Sequence, residues 1–527
     1  MFSLLTLYNL VAITSFISGV YEGLSHDRSN EVDIIILPSE AEIERASSLA
    51  NNKFPDDFYF GVASSAYECE GAWNVDDKGE SVWDYMTHSN PALISGYSNG
   101  DVSSDFYHKY LEDIQLASAM GLTMMRISLS WSRILPDGYT NRVSSSGVAF
   151  YDNVITEMLA NNITPMVSLF DNDMPYRLQQ LGGWANPVII DIFVDYANFV
   201  FTLFGDKVKY WATVNDAAKM CRYGYGGTYI PSINLSGVAD YLCGHHVLLA
   251  HAKVYKLYHQ TYDGKLGILN YYTWFEPAQN YLNADNIAAE LAHIFYNDWL
   301  TQPIFGRSGD YPQIMKMSIG LNSYVQNFSQ SRLPTFSFSD VTYVQGSADF
   351  LGINYYTAVS VKNNANVTEN ISFDKDADIR IIKNTNWFGE MDIKNTPWGL
   401  TNLLHRLHDS YLLPEIWITG NGYANSGDNL DFDRASYHHD HLNAVLKAMQ
   451  NGIDIKGYLV KSLTDGFEGM NGYEMKFGLV SVDFNDPNRT RTLKSSAAVI
   501  YDISTTKQIK PLKEIFDAFV EKLNLLL

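Results

Sequence analysis

The sequence predicts an α/β fold, a single-domain (β/α)8 TIM barrel spanning residues 54–527. Three observations lead there. Eight short apolar runs, most of them rich in β-branched or aromatic residues, punctuate the chain. Segments of helical periodicity lie between them. From Phe54 onward no linker-like stretch interrupts the alternation. Strand–helix alternation repeated eight times closes a parallel barrel. A chain of 527 residues has room for two or three domains, but α/β barrels often run long as one unit.

The runs, in order, are Phe58–Ala66, Met124–Trp131, Pro165–Phe170, Tyr210–Asn215, Leu266–Tyr271, Phe350–Tyr356, Ile416–Thr419 and Ile455–Lys461. The intervening FYHKYLEDIQLASAMG reads as a helix. PVIIDIFVDYANFVFTLFG places apolar residues at i, i+3, i+4 and i+7, and Gly205 stops it. Asn363–Asn384, rich in Asn, Asp and Lys, reads as a surface insertion. Functional residues of such barrels sit where strands end. Glu68, Asp171, Asp216, Gly420 and Glu468 therefore gather around one opening.

Residues 1–20 are apolar and end in small residues, the pattern of a signal peptide cleaved near Ser18 to Val20, although no Lys or Arg precedes the apolar stretch. Residues 21–53 read as a polar, mobile arm. No later stretch is long enough to span a bilayer. Six sequons, at Asn162, Asn234, Asn327, Asn366, Asn370 and Asn488, fit a secreted, extracellular protein. Of three cysteines, Cys221 and Cys243 bracket a Gly- and Tyr-rich stretch and can pair in an oxidising compartment, while Cys69 is expected free and buried in the first strand. The net charge of −22 excludes nucleic acid as a partner, because like charge repels a phosphate backbone. No Gly-rich phosphate loop, metal-spaced His cluster or Ser-His-Asp signature occurs, so no cofactor or metal is expected.

Several stretches, in order along the chain, resemble family-1 glycoside hydrolases, the group of β-glucosidases, myrosinases, lactase and klotho proteins. The most specific is FPDDFYFGVASSAYECEGAWNVDDKGESVWDYMTH at 54–88. MRISLSWSRILP (125–136), LGGWANP (181–187), LLAHAKVY (248–255), FLGINYYT (350–357) and NGYEMKFGLVSVDF (471–484) follow. The resemblance implies a retaining β-glycosidase ancestry, in which two carboxyls flank the sugar. It places the acid/base at Asp216, within Thr213-Val214-Asn215-Asp216-Ala217, and the nucleophile at Gly420, within Ile418-Thr419-Gly420-Asn421-Gly422. Both departures remove the expected glutamate.

Sugar-holding positions depart too. Glu68 stands for a glutamine, Asp171-Asn172-Asp173 for His-Trp-Asp, Lys461-Ser462-Leu463 for Trp-Ser-Leu, and Gly466-Phe467-Glu468-Gly469 for Asn-Phe-Glu-Trp. Arg126, Asn215, Asn354, Tyr356 and Glu468 remain on pattern, and the resemblance implies that Arg126 and Tyr356 once faced the nucleophile. Asn215, Asn354 and Tyr356 fit ligand contact and barrel-top hydrogen bonding equally. Arg126 without its glutamate needs a counter-charge, which Asp171 can supply. Three functions stay open: a non-catalytic binding or scaffolding protein, a β-glycosidase with residual or altered activity on β-glucosides, and an abundant structural or storage protein. The first takes a glycan, glycoside or other small molecule, or a protein, as partner.

Overall fold

The computed structural model describes residues 39–363 and 371–526. The chain divides into two compact units, Met1–Ser47 and Ser48–Leu527. Residues Glu40–Ala50, read as part of a polar arm, form a helix. The leader, the rest of the arm before Ser39, and the sequons Asn366 and Asn370 lie outside the described residues.

The second unit is the predicted barrel. Its strands are β1 (Tyr59–Ala63), β2 (Met124–Ser128), β3 (Thr164–Phe170), β4 (Tyr210–Asn215), β5 (Lys265–Pro277), β6 (Leu351–Asn363), β7 (Ile416–Asn421) and β8 (Ile455–Lys461). All neighbours pair in parallel, and β8–β1 and β5–β6 pairing closes the ring. The lumen is packed: Ala63, Met124, Met166, Ala212, Leu269, Trp417 and Leu459, each at most 1% exposed, meet there, one from each strand except β6, where Phe350 just ahead of the strand fills the layer. Large and small side chains share this layer.

Several boundaries differ from the sequence reading. β1 stops at Ala63, because a short helix, Ala66–Cys69, begins at once and the Ser128 hydroxyl accepts its first N–H at 2.8 Å. Cys69 is thus helical rather than in a strand; it is buried and free. β2 ends at Ser128, since Trp131 opens a helical turn. β5 and β6 run 13 residues each, far past the barrel, and an antiparallel strand, Ile379–Ile382, adds to the extended part of β6. Tyr271, Tyr272, Thr273, Trp274 and Phe275 are strong strand formers, which carries β5 onward.

The stretch read as a surface insertion is partly anchored. Phe373 and Ala377 are buried. Asp376 takes a bidentate pair from Arg332, at 2.7 and 2.7 Å, plus bonds from Tyr241 and Asn322. Composition marked the segment as polar, but a carboxylate that finds a guanidinium fork is buried at low cost.

Candidate active site

Register assembles the site. Ala63 of β1 pairs with Arg126 of β2 on one side and with Lys461 of β8 on the other, so both cations stand at one level. Asn354 of β6 pairs with Gly420 of β7 across a register shift. The strand ends open on a cavity of about 280 Å³, which Glu68, Arg126, Asp171, Asp216, Lys461 and Glu468 help to line. Trp83, Tyr229, Tyr271, Tyr356, Phe467 and Phe477 supply aromatic walls. Tyr271 and Tyr356 stack at 5.8 Å.

A chain of hydrogen bonds crosses the floor. Arg126 donates to Asn215 Oδ1 at 2.7 Å, and Asn215 Nδ2 donates to both Asp171 oxygens at 3.0 Å. Asn354 Nδ2 donates to Asn215 Oδ1 at 2.8 Å and to Asp216 Oδ1 at 2.6 Å, while its Oδ1 accepts from Thr419 at 2.9 Å. Asn354 is 1% exposed and its amide is taken up by protein partners, so it supports the floor rather than the lining. Gly420 is buried beside it: a Cβ there would lie 2.7 Å from Asn354 Oδ1 and 3.1 Å from Tyr356 Oη. The expected counter-charge for Arg126 is indirect. Among the described residues Asp171 and Arg126 make no direct ion pair, because Asn215 lies between them as a relay. Arg126 Nε has no hydrogen-bond partner.

Lys461 organises the other wall. Its Nζ sits 2.7 Å from Glu68 and 3.1 Å from Glu468. One cation is divided between two carboxylates. Burial works against Glu68 but is outweighed by Lys461, which holds it below the usual range. Glu468 is pushed up to about 7, by burial first and then by Glu68, against the pull of Lys461. Burial also raises Asp171 to about 6, with Arg126 opposing and Glu68 and Asp216 adding to the rise. Lys219, whose Nζ lies 5.0 Å from the Tyr271 ring, is a third cation; burial opposes its charge, but Asp216 outweighs burial and raises its pKa.

Residues 50–509 match the profile of glycosyl hydrolase family 1. The chain belongs to glycosyl hydrolase family 1. It is 39% identical over 463 residues to Myrosinase 1 of Brevicoryne brassicae, covering 86% of this chain and 99% of that one. It is 36% identical over 452 residues to the human cytosolic beta-glucosidase, covering 84% and 96%. The solved aphid myrosinase superposes with a TM-score of 0.82 at 38% identity, covering 87% of this chain and all of that one.

Within this family-1 barrel, every site residue named from sequence falls at one end. Glu68, Arg126, Asp171, Asn215, Asp216, Tyr356 and Glu468 line the cavity; Asn354 and Gly420 lie just behind it. Sequence reasoning placed the cations Arg126 and Lys461 at the cleft, but it did not show that Lys461 bridges Glu68 and Glu468, and it missed Lys219. Lys219 carried a local signal, since it follows Asp216 by three residues and i, i+3 neighbours share a helix face. The sequon residues Asn162, Asn234, Asn327 and Asn488 are all exposed. Cys221 and Cys243 are joined by a disulfide, with Cα atoms 5.5 Å apart. No helix among the described residues is long and apolar enough to cross a membrane.

Proposed function

We propose that this family-1 relative no longer cleaves glycosides and instead holds a ligand in the old cleft, as a secreted binding or scaffolding protein. Gly420 carries the reading. Retaining chemistry needs a second carboxyl about 5–5.5 Å from the first. At the position where the resemblance puts the nucleophile, this chain offers two hydrogens. Its neighbours, the Asn354 amide and the Tyr356 hydroxyl, are not carboxylates. Removing the nucleophile of a serine protease outright costs on the order of 10⁶ in rate, and a comparable penalty is expected here. Asp216 at the acid/base position is one methylene shorter than Glu, and Asn354 ties it to the floor. A reacting group misplaced by about 1 Å loses around 10².

The sugar-holding side points the same way. Glu68 and Glu468 are acceptors that a sugar would meet with hydroxyl groups, and here the Lys461 ammonium occupies both. A neutral glucoside has to compete with that internal cation. A ligand carrying its own ammonium displaces like with like. In calorimetric titrations, neutral glucosides are expected to bind weakly and amine-bearing analogues more tightly, with Glu468→Ala weakening the latter. Tight glucose binding that ignores Glu468→Ala rules the reading out.

One observation favours a second reading, a glycosidase with altered chemistry. Asp171, raised to about 6, has the pKa of a usable general base near neutral pH. With Asp216 it would activate water directly and invert the anomeric centre.

Secretion is proposed on the leader and the exposed sequon residues. Expressed in eukaryotic cells, the protein should reach the medium without its first ~20 residues and lose mass on N-glycan removal. An intact, unmodified chain confined to the cytosol defeats this.

A further inference from the structure

Helix Gln313–Val325, between β5 and β6, is apolar on two faces. Met315 and Ile319 are fully buried on the side that packs toward Phe373–Ala377 and His293–Asp298. On the opposite side Ile314, Met317, Leu321, Tyr324 and Val325 are 48, 64, 64, 79 and 69% exposed. At 3.6 residues per turn these five positions fall in one stripe along the helix, which Phe328 continues past its end. A solvent-facing helix surface is ordinarily polar. Four of these five large side chains are more than half exposed, and a contiguous exposed apolar patch of this kind marks an interaction surface.

We infer that this stripe is a self-association surface, and that a second copy of this chain covers it. Charge argues for that occupant. The chain carries −22, so most contacts between two copies bring like charges together. Residues 311–332 contain no Asp or Glu, and Lys316, the one cation of the helix, is paired with Asp310. Two copies can therefore meet here without electrostatic opposition. Geometry argues for it as well. Steps of three and four residues, from Ile314 to Met317, Leu321 and Tyr324, form the ridge spacing that interdigitates with a copy of itself. A two-fold axis near the middle of the helix sets Met317 and Leu321 of one protomer against the same residues of its partner, as an isologous interface requires. Phe328, 36% exposed, lengthens the apolar surface past the end of the helix. A membrane fits less well, because interfacial helices carry a Lys- and Arg-rich polar face and this surface has none.

The test is sedimentation equilibrium of the full, secreted chain over a wide concentration series. Wild type is expected to fit a monomer–dimer equilibrium. Leu321→Asp, and separately Met317→Asp, should weaken association by roughly tenfold or more, about 1.4 kcal/mol. Both sites are solvent-facing, so melting of the monomer should be unchanged, which separates lost association from misfolding. A second comparison uses Asn327→Gln, which removes the sequon at the end of the stripe. Unchanged dimerisation of that variant supports the proposal. A wild type that stays monomeric throughout overturns it. So does a monomer that aggregates only after Asn327→Gln, which would assign the stripe to cover by its own glycan.

Discussion

Lys461→Met is expected to destabilise the fold by about 3–5 kcal/mol above neutral pH, the range for stripping one partner from a buried ion pair. Lys461 is the cation that Glu68 and Glu468 share, and the Glu468 side chain is only 9% exposed. Without it two carboxylates face each other inside the cleft with no shared cation between them. The loss should depend on pH, and its sign follows from linkage. In the wild type Glu468 is already raised to about 7, so on folding it binds protons that the unfolded chain has released. Stability therefore falls as pH rises from the ordinary carboxylate range to about 7, while Glu68, held low, acts in the opposite sense only below that range. In the variant both carboxyls lie above their unfolded values, and both then work against folding as they ionise. The deficit should be smallest near pH 5, where the pair is protonated, and complete near pH 8. Buried histidines such as His251 and His293, lowered to about 4 and about 3 chiefly by burial, give the whole protein a trend of the other sign. The meaningful quantity is therefore the difference between wild type and variant in chemical denaturation at the two pH values. Adding Glu468→Gln should recover most of the loss. An equal deficit at both pH values would show that Lys461 acts by packing rather than by charge.

Rebuilding the catalytic positions should restore hydrolysis only cooperatively. Gly420→Glu alone is expected to remain close to inactive. The backbone at 420 is not left-handed and accepts a side chain, but its Cβ lies 2.7 Å from Asn354 Oδ1. That amide has to move, and Thr419, Asn215 and Asp216 hold it in place. A single glutamate also meets a short acid at 216 and a sugar subsite filled by Lys461. Catalysis draws on binding energy from the whole sugar, so an empty or blocked subsite wastes a correct nucleophile. Combining Gly420→Glu with Asp216→Glu and Asp171→His should give more than the sum of the single changes. Adding Lys461→Trp, which frees Glu68 and Glu468, should raise the rate again. Groups that act as a unit are strongly non-additive. The readout is kcat/KM on an activated aryl β-glucoside across the series. Simple additivity, or full activity from Gly420→Glu alone, would show that these positions do not work as one unit.

The barrel was legible in sequence because each strand is buried on both faces and therefore reads as an unbroken apolar run. Asp171, Asn215 and Asp216 were legible because they directly follow or end such a run, whereas Glu468 was legible only through the family motif around it. What escaped is tertiary. Nothing near Lys461 shows that its ammonium will meet Glu68, which arrives from the far end of the chain through β8–β1 pairing. Arg126 and Asp171 were expected to pair, but the Asn215 amide reaches both and separates them. The extra length of β5 and β6 is tertiary too, since the extensions pair with each other and with Ile379–Ile382 beyond the barrel. Asp376 in its polar segment gave no hint of Arg332.

Gly420 leaves the position where the resemblance puts the nucleophile without a carboxylate, and the proposed loss of glycosidase activity rests on that residue above all others. The most direct measurement is hydrolysis of an activated aryl β-glucoside by the wild-type protein, with the anomeric configuration of the first-formed sugar read by NMR. Release of the aryl alcohol at the uncatalysed rate is the expected result. Substantial turnover with retained configuration would contradict it, because another residue would then be serving as the nucleophile.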